Sequence, residues 1–123
     1  MDNKKKILII EDETALLYAL QSQLGAAGFK IFTADDGEKA LKMVGEYKPD
    51  LIVLDLLLPK VDGWTFLSEV KKQKETKDIP VVIISNLSDD ASQKRGFELG
   101  AKDYLAKVNY SMDELVEKIK AMI

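Results

Sequence analysis

Glu11, Asp12 and Glu13 stand in a row directly after an apolar run, Ile7-Leu8-Ile9-Ile10. Asp55 ends a second run, Leu51-Ile52-Val53-Leu54, and is followed by Leu56, Leu57, Leu58 and Pro59. A carboxylate is costly to desolvate, so a lone acid among apolar neighbours needs a role. Ser85 closes a third run that begins at Val81, and Lys107 follows a fourth short one, Asp103-Tyr104-Leu105-Ala106. Crowded carboxylates repel one another unless a cation joins them. An all-oxygen donor set suits magnesium, which takes few carboxylates and keeps water and phosphate oxygens. A carboxylate can also be a nucleophile in aspartyl-phosphate chemistry. A lysine and a hydroxyl would then hold phosphoryl oxygens by charge-assisted and ordinary hydrogen bonds.

That chemistry has bland alternatives. Asp55 can be a strand-end carboxylate bonded to loop amides. Glu11, Asp12 and Glu13 can be acids favoured at a helix start by the macrodipole. Ser85 can be a turn residue, Lys107 a solvated loop lysine, and Tyr104 plain packing in a short strand. Gly63 and Gly100 read as structural, a turn and a helix C-cap. The convergence of the polar residues weighs against coincidence.

The totals narrow the classes. The chain has 123 residues, the size of one domain, so 1–123 is read as a single unit. It has no cysteine and no histidine. That excludes disulfides, thiol nucleophiles, imidazole-ligated zinc and Ser-His-Asp catalysis. Any phosphohistidine must belong to a partner. A net charge of −3 disfavours direct nucleic-acid or anionic-membrane binding. The opening MDNKKKILIIEDE lacks the apolar length of a signal peptide, and no segment reaches that of a membrane span. The expected address is the cytoplasm.

Something must bring these residues together. Strands are expected at 7–10, 30–34, 51–54, 81–84 and 103–105, and Asp55 would be the last residue of the third. Continuous apolar runs suit strands buried on both faces. Amphipathic stretches lie between them. Leu16, Leu17, Leu20 and Leu24 share one helical stripe, with Gly28 as a stop. Ala40, Leu41 and Val44 form a second, and Phe66, Leu67 and Val70 a third. A fourth helix falls between Ser88 and Gly100. The fifth opens with Ser111-Met112-Asp113-Glu114, a capping-box pattern. The lysine-rich 70–78 reads as a solvated helix end and loop. Strict alternation predicts an α/β fold, a parallel sheet with helices on both faces and right-handed connections. Ligands of such sheets bind beyond the carboxyl ends of the strands, where the polar residues converge.

The whole chain resembles the receiver domain of bacterial two-component response regulators. The resemblance rests on Glu11-Asp12, on Asp55 with Pro59 and Gly63 downstream, on Ser85, and on GAKDYLAK at 100–107. It implies a flavodoxin-like, doubly wound (βα)5 three-layer sandwich with strand order 2-1-3-4-5. It implies that Asp55 is the phosphoacceptor. It assigns Mg2+, or Mn2+ in its place, to Asp12, Asp55 and the backbone carbonyl of Leu57, with Glu11 acting through a metal-bound water. Ser85 and Lys107 would contact the phosphoryl group, and Tyr104 would be an aromatic switch that turns inward on activation. The phosphodonor would be a sensor histidine kinase or a phosphotransfer protein. The output would pass through a changed α4-β5-α5 face, stretching roughly over 88–111, to a partner protein or to a second copy in a phosphorylation-dependent homodimer. Trp64, just past Gly63, is expected to report on the site by fluorescence.

The chain departs from the family pattern in places. Val108 stands where proline usually follows the site lysine, which favours a trans peptide. Asn86 replaces the usual Ala or Gly after the hydroxyl residue, and either narrows access to Asp55 or adds a hydrogen bond to phosphate. Glu11 is a tolerated variant of the first acid. Two other readings follow from the same residues. A phosphatase or phosphotransferase of the haloacid-dehalogenase kind would carry a second Asp two residues after the nucleophile, but position 57 is leucine. A pseudo-receiver would bind partners without being phosphorylated, which the complete set of acids, serine and lysine disfavours.

Overall fold

The computed structural model describes residues 3–123; the first two residues of the expected 1–123 unit lie outside that range. The order is β1 (Lys6–Ile10), α1 (Thr14–Ala26), β2 (Lys30–Ala34), α2 (Gly37–Tyr47), β3 (Leu51–Leu54), α3 (Gly63–Lys72), β4 (Val81–Ser85), α4 (Asp90–Glu98), β5 (Asp103–Ala106) and α5 (Met112–Lys120). One 3-10 turn, Lys107–Asn109, joins β5 to α5. The five strands pair in parallel in the order β2-β1-β3-β4-β5. Alternation, sheet type and strand order agree with the expectation.

Period-two alternation divides the core into two layers. Leu8 and Ile10 of β1, Ile52 and Leu54 of β3 and Ile83 of β4 pack with Ala40, Val44, Phe66, Leu67 and Val70 from α2 and α3. Ile7, Ile9, Leu51, Val53, Val82 and Ile84 point to the other face, against Leu20, Leu24, Leu115, Val116 and Ile119 of α1 and α5. Helix α4 joins the first layer through Gly96, where a Cβ would lie 2.9 Å from both Ile83 and Tyr104.

Helix starts gather at the carboxyl ends of the strands. Asp36, Asp62 and Asp89 accept hydrogen bonds from the third residue of α2, α3 and α4 respectively. Ser111 and Glu114 form the expected reciprocal box on α5. Only α1, capped by Glu13, lacks a side-chain cap bond among these helices.

The differences from expectation are local. Strand β3 ends at Leu54, so Asp55 lies one residue beyond it, although its N–H still donates to the Ile10 carbonyl at 2.9 Å. The strand hydrogen bonding stops there because the backbone turns into the loop toward Pro59. The 70–78 stretch is not wholly solvated. Thr76 is buried, and its hydroxyl donates to the Val70 carbonyl at 2.7 Å. Lys71 donates to the carbonyls of Lys77 and Ile79 at 3.0 and 2.6 Å, which ties the loop back to α3. Gly63 opens α3 and is not a turn residue. A Cβ there would lie 2.5 Å from Leu56 Cα and 2.6 Å from the Asp55 carbonyl oxygen, so only glycine lets the helix start approach the β3 loop this closely. Gly100, at φ 106°, ends α4 as expected.

Candidate functional site

Register sets the heart of the site. Ile10 pairs with Leu54, so Glu11 and Asp55 leave adjacent central strands at the same height. Ser85 pairs with Ala106, and Lys107 follows immediately. The neighbouring order β1-β3-β4-β5 thus converts four sequence-distant strand ends into one rim. Glu11 and Asp55 are 2% and 6% exposed and Ser85 is fully buried, while Asp12 is exposed.

Lys107 holds the acids. Its Nζ lies 2.8 Å from Glu11 Oε1, 3.3 Å from Asp55 Oδ2 and 3.5 Å from Glu13 Oε2. Glu11 also accepts from the Glu13 N–H at 3.1 Å, and Asp55 Oδ1 from the Leu57 N–H at 3.3 Å. Burial, reinforced by the neighbouring Asp55 carboxylate and partly offset by Lys107, pushes the Glu11 carboxyl up to about 7. Burial works against the Lys107 ammonium, but Glu11 and Asp55 outweigh it and hold its pKa above the ordinary lysine value. This is the electrostatic signature of acids packed together with a single cation among them.

One carboxylate oxygen from each of Glu11, Asp12 and Asp55 lies within 4.8 Å of the others. Three hard oxygen donors, with no sulfur or imidazole in the chain, fit Mg2+ or Mn2+. The donor set thus agrees with the metal expected from sequence. Leu57 sits on the same rim, 54% exposed, in the loop that carries its backbone past Asp55.

The remaining expected residues form a second group. Ser85 Oγ accepts from the Leu87 N–H at 3.1 Å. The Tyr104 hydroxyl donates to the Leu87 carbonyl at 2.7 Å, and its ring is 5% exposed. Burial holds this phenol above its ordinary pKa. The two faces of the Leu87 peptide unit neighbourhood thus connect Ser85 to Tyr104. Tyr104 faces inward in this structure. The small Gly96 beside it leaves room for the ring.

The Lys107–Val108 peptide is trans, and Val108 is 72% exposed. Asn86 is exposed. It lines a cleft of about 380 Å3 with Glu13, Leu16, Lys107, Tyr110 and Met112. Trp64 is set by α3 against α4, with the Arg95 guanidinium 4.3 Å from its ring centroid, so it stands beside the helix that follows Ser85 and not within the acid cluster. Two contacts escape sequence reasoning. Glu13 reads as a helix-start acid yet reaches Lys107. Asp36, a buried cap, pairs at 3.8 Å with Lys60, which adopts a left-handed φ of 66° next to Pro59. Nothing in the spacing of 13 to 107 or of 36 to 60 signals either contact.

Among the described residues, no helix is long and apolar enough to cross a membrane. A family model described as the response regulator receiver domain matches residues 7–120. Among curated proteins, the alkaline phosphatase synthesis transcriptional regulatory protein PhoP of Bacillus subtilis (strain 168) is 39% identical over 119 residues, which is 97% of this chain and 48% of PhoP. The chain spans about half the length of the curated relatives it matches. Among solved structures, the Mn2+-bound form of response regulator Rcp1 matches with a TM-score of 0.85 at 31% identity, over 95% of this chain and 92% of that one. The phosphorylated cyanobacterial phytochrome response regulator RcpA matches with a TM-score of 0.82 at 33% identity, over 97% and 91%. Fold, converging strand ends and family match agree over nearly the whole chain, which belongs to the response regulator receiver domains, signalling modules that accept a phosphoryl group.

Proposed function

We propose that Asp55 is the phosphoacceptor of this receiver, fed by a cytoplasmic histidine kinase or phosphotransfer protein. The observation that carries the reading is the Lys107 ammonium 3.3 Å from a buried Asp55 carboxylate, beside a three-acid cluster. In the step itself, an Asp55 carboxylate oxygen attacks the phosphorus of a partner's phosphohistidine. The O–P bond forms as the P–N bond breaks, and the departing imidazole nitrogen keeps the electron pair and takes a proton from solvent. Hydrolysis resets the module when water attacks the phosphorus and returns Asp55 and inorganic phosphate. The domain turns over its own phosphoryl group and no outside substrate.

Asp12, Asp55 and the Leu57 carbonyl would hold Mg2+, with Glu11 acting through a metal-bound water; Mn2+, present in the similar Rcp1, can substitute. When bound there, a cation would supply neutralisation of charge on the transferring phosphoryl oxygens. Lys107 binds one of those oxygens, and Ser85 donates its hydroxyl to another. The Ser85 hydroxyl can accept from the Leu87 N–H and donate at the same time; as it moves toward the phosphoryl group it would draw the Leu87 segment with it, against Tyr104. Tyr104, whose hydroxyl holds the Leu87 carbonyl, would respond to that movement of the 86–90 loop as the switch residue. The α4-β5-α5 face then changes its affinity for an output protein or a second copy, which is the differential binding any signal requires.

Intact mass after incubation with acetyl phosphate and Mg2+ tests the reading. Wild type gains one phosphoryl group and Asp55→Asn gains none. Equal labelling of both proteins refutes the assignment.

A further inference from the structure

Lys107 has one more carboxylate than the metal cluster supplies. An ammonium has three N–H donors, and three carboxylates surround this one, those of Glu11, Asp55 and Glu13. Glu11 and Asp55 belong with Asp12 to the group able to hold a cation, and Glu13 does not. Glu13 is also the solvent-side partner. Its side chain is 58% exposed, against 3% and 7% for the other two. Its place in the fold sharpens the point. It is the N-cap of α1, where free backbone N–H groups attract a carboxylate, yet its side chain makes no cap bond and reaches Lys107 at 3.5 Å.

Resting on Asp55 as phosphoacceptor, we propose that Glu13 is a positioning residue that holds Lys107 toward the solvent side of the site and yields it to the phosphoryl group. Once a cation engages Glu11 and Asp55, Glu13 is the carboxylate left to the ammonium. A phosphoryl group brings three acceptor oxygens and about −1.5 to −2 charges, and it outcompetes one exposed carboxylate. Glu13 therefore sets a threshold. It competes with the phosphoryl group for Lys107. Its release also frees one wall of the cleft of about 380 Å3 that Leu16, Tyr110 and Met112 help to line, so the contact ties phosphorylation to the mouth between α1 and α5.

Glu13→Gln keeps the shape and removes the charge. Initial rates with acetyl phosphate and Mg2+ are read by intact mass, and beryllofluoride half-saturation by Trp64 emission. At low ionic strength the variant should react about twofold to fivefold faster and bind beryllofluoride tighter by a similar factor, the range for a half-exposed ion pair. The advantage should shrink toward about 1 M salt, where the screening length falls to about 3 Å. In a Lys107→Ala background, Glu13→Gln should give no gain, because its effect passes through the ammonium. Glu13→Ala should follow Glu13→Gln in direction, which separates the charge from the glutamine amide. A rate at or below wild type, or an equal gain in the Lys107→Ala background, overturns the role of Glu13. A wild type that takes up no phosphoryl group overturns the Asp55 assignment, and this inference with it; a wild type that is labelled while Glu13→Gln is unchanged overturns the inference alone.

Discussion

At the scale of single residues, the site is a balance of charge. Glu11 and Asp55 are buried acids, and the cation set against them is Lys107. Removing that ammonium leaves two buried carboxylates facing each other, which a divalent cation or a proton must then offset. Lys107→Ala is therefore expected to fold, to bind Mg2+ at least as tightly as wild type, and to lose most of its response to phosphorylation. Calorimetric Mg2+ titration and amide exchange across 86–106 with and without beryllofluoride check both halves; weaker Mg2+ binding or an undiminished exchange response contradicts the account. Glu11, Asp55, Ser85 and Lys107 were legible in the sequence because each closes or directly follows an apolar run, and runs of that kind are strands. Glu13's second partner was not legible, since a helix-start acid and a lysine ligand look alike in one dimension. The rotamer of Tyr104 was not legible either. It depends on Gly96 of α4 and on the Leu87 carbonyl, neither of which its own segment reveals.

At the scale of elements, the loops that carry the site are fixed by helix starts. Gly63 is the tightest of these joints. Gly63→Ala would press a methyl group against Leu56 Cα and the Asp55 carbonyl, which are backbone atoms that cannot swing aside. The expected cost is about 1–3 kcal/mol by urea unfolding, with a slower phosphorylation rate because the Asp55 loop is displaced. An unchanged midpoint and rate would mean that the α3 start is softer than the contact distances say. Asp62 supports the same joint as cap of α3, accepting from the Thr65 N–H at 2.9 Å. That bond holds its carboxyl below the ordinary value of 3.8. A carboxyl with a depressed folded pKa adds stability that is complete above its unfolded pKa and is lost as pH falls through the folded one. Asp62→Ala should thus cost about 1 kcal/mol at neutral pH. The gap from wild type should close as the pH drops below about 3.8. A gap that stays constant well below that pH would assign the loss to packing and not to the charged cap. The sequence announces α5 through its Ser111–Glu114 box, but a lone Asp before a helix is too common to mark a boundary, so α4 could be bracketed between Ser88 and Gly100, where it lies, without its start at Asp90 being marked.

At the scale of the whole molecule, a doubly wound sheet presents one carboxylate at the centre of its carboxyl edge and surrounds it with helix starts. The strand order was implied by family resemblance; alternation alone gave the parallel sheet and the two helical layers. The molecule also carries its own reporter. Trp64 on α3 stacks under Arg95 of α4, so displacement of α4 should change its emission. Beryllofluoride with Mg2+ should shift or quench that fluorescence, and Arg95→Ala should remove most of the response; no change in wild type would mean that α4 does not move relative to α3. All of this depends on the phosphoryl group arriving at one atom set. The most direct test is chemical trapping. Wild type is treated with acetyl phosphate and Mg2+, reduced with borohydride so that an acyl phosphate becomes an alcohol, digested and sequenced by mass spectrometry. The account predicts homoserine at position 55 and aspartate at positions 12, 35, 36 and 62. Homoserine at any of those other positions, or none at 55, would contradict it.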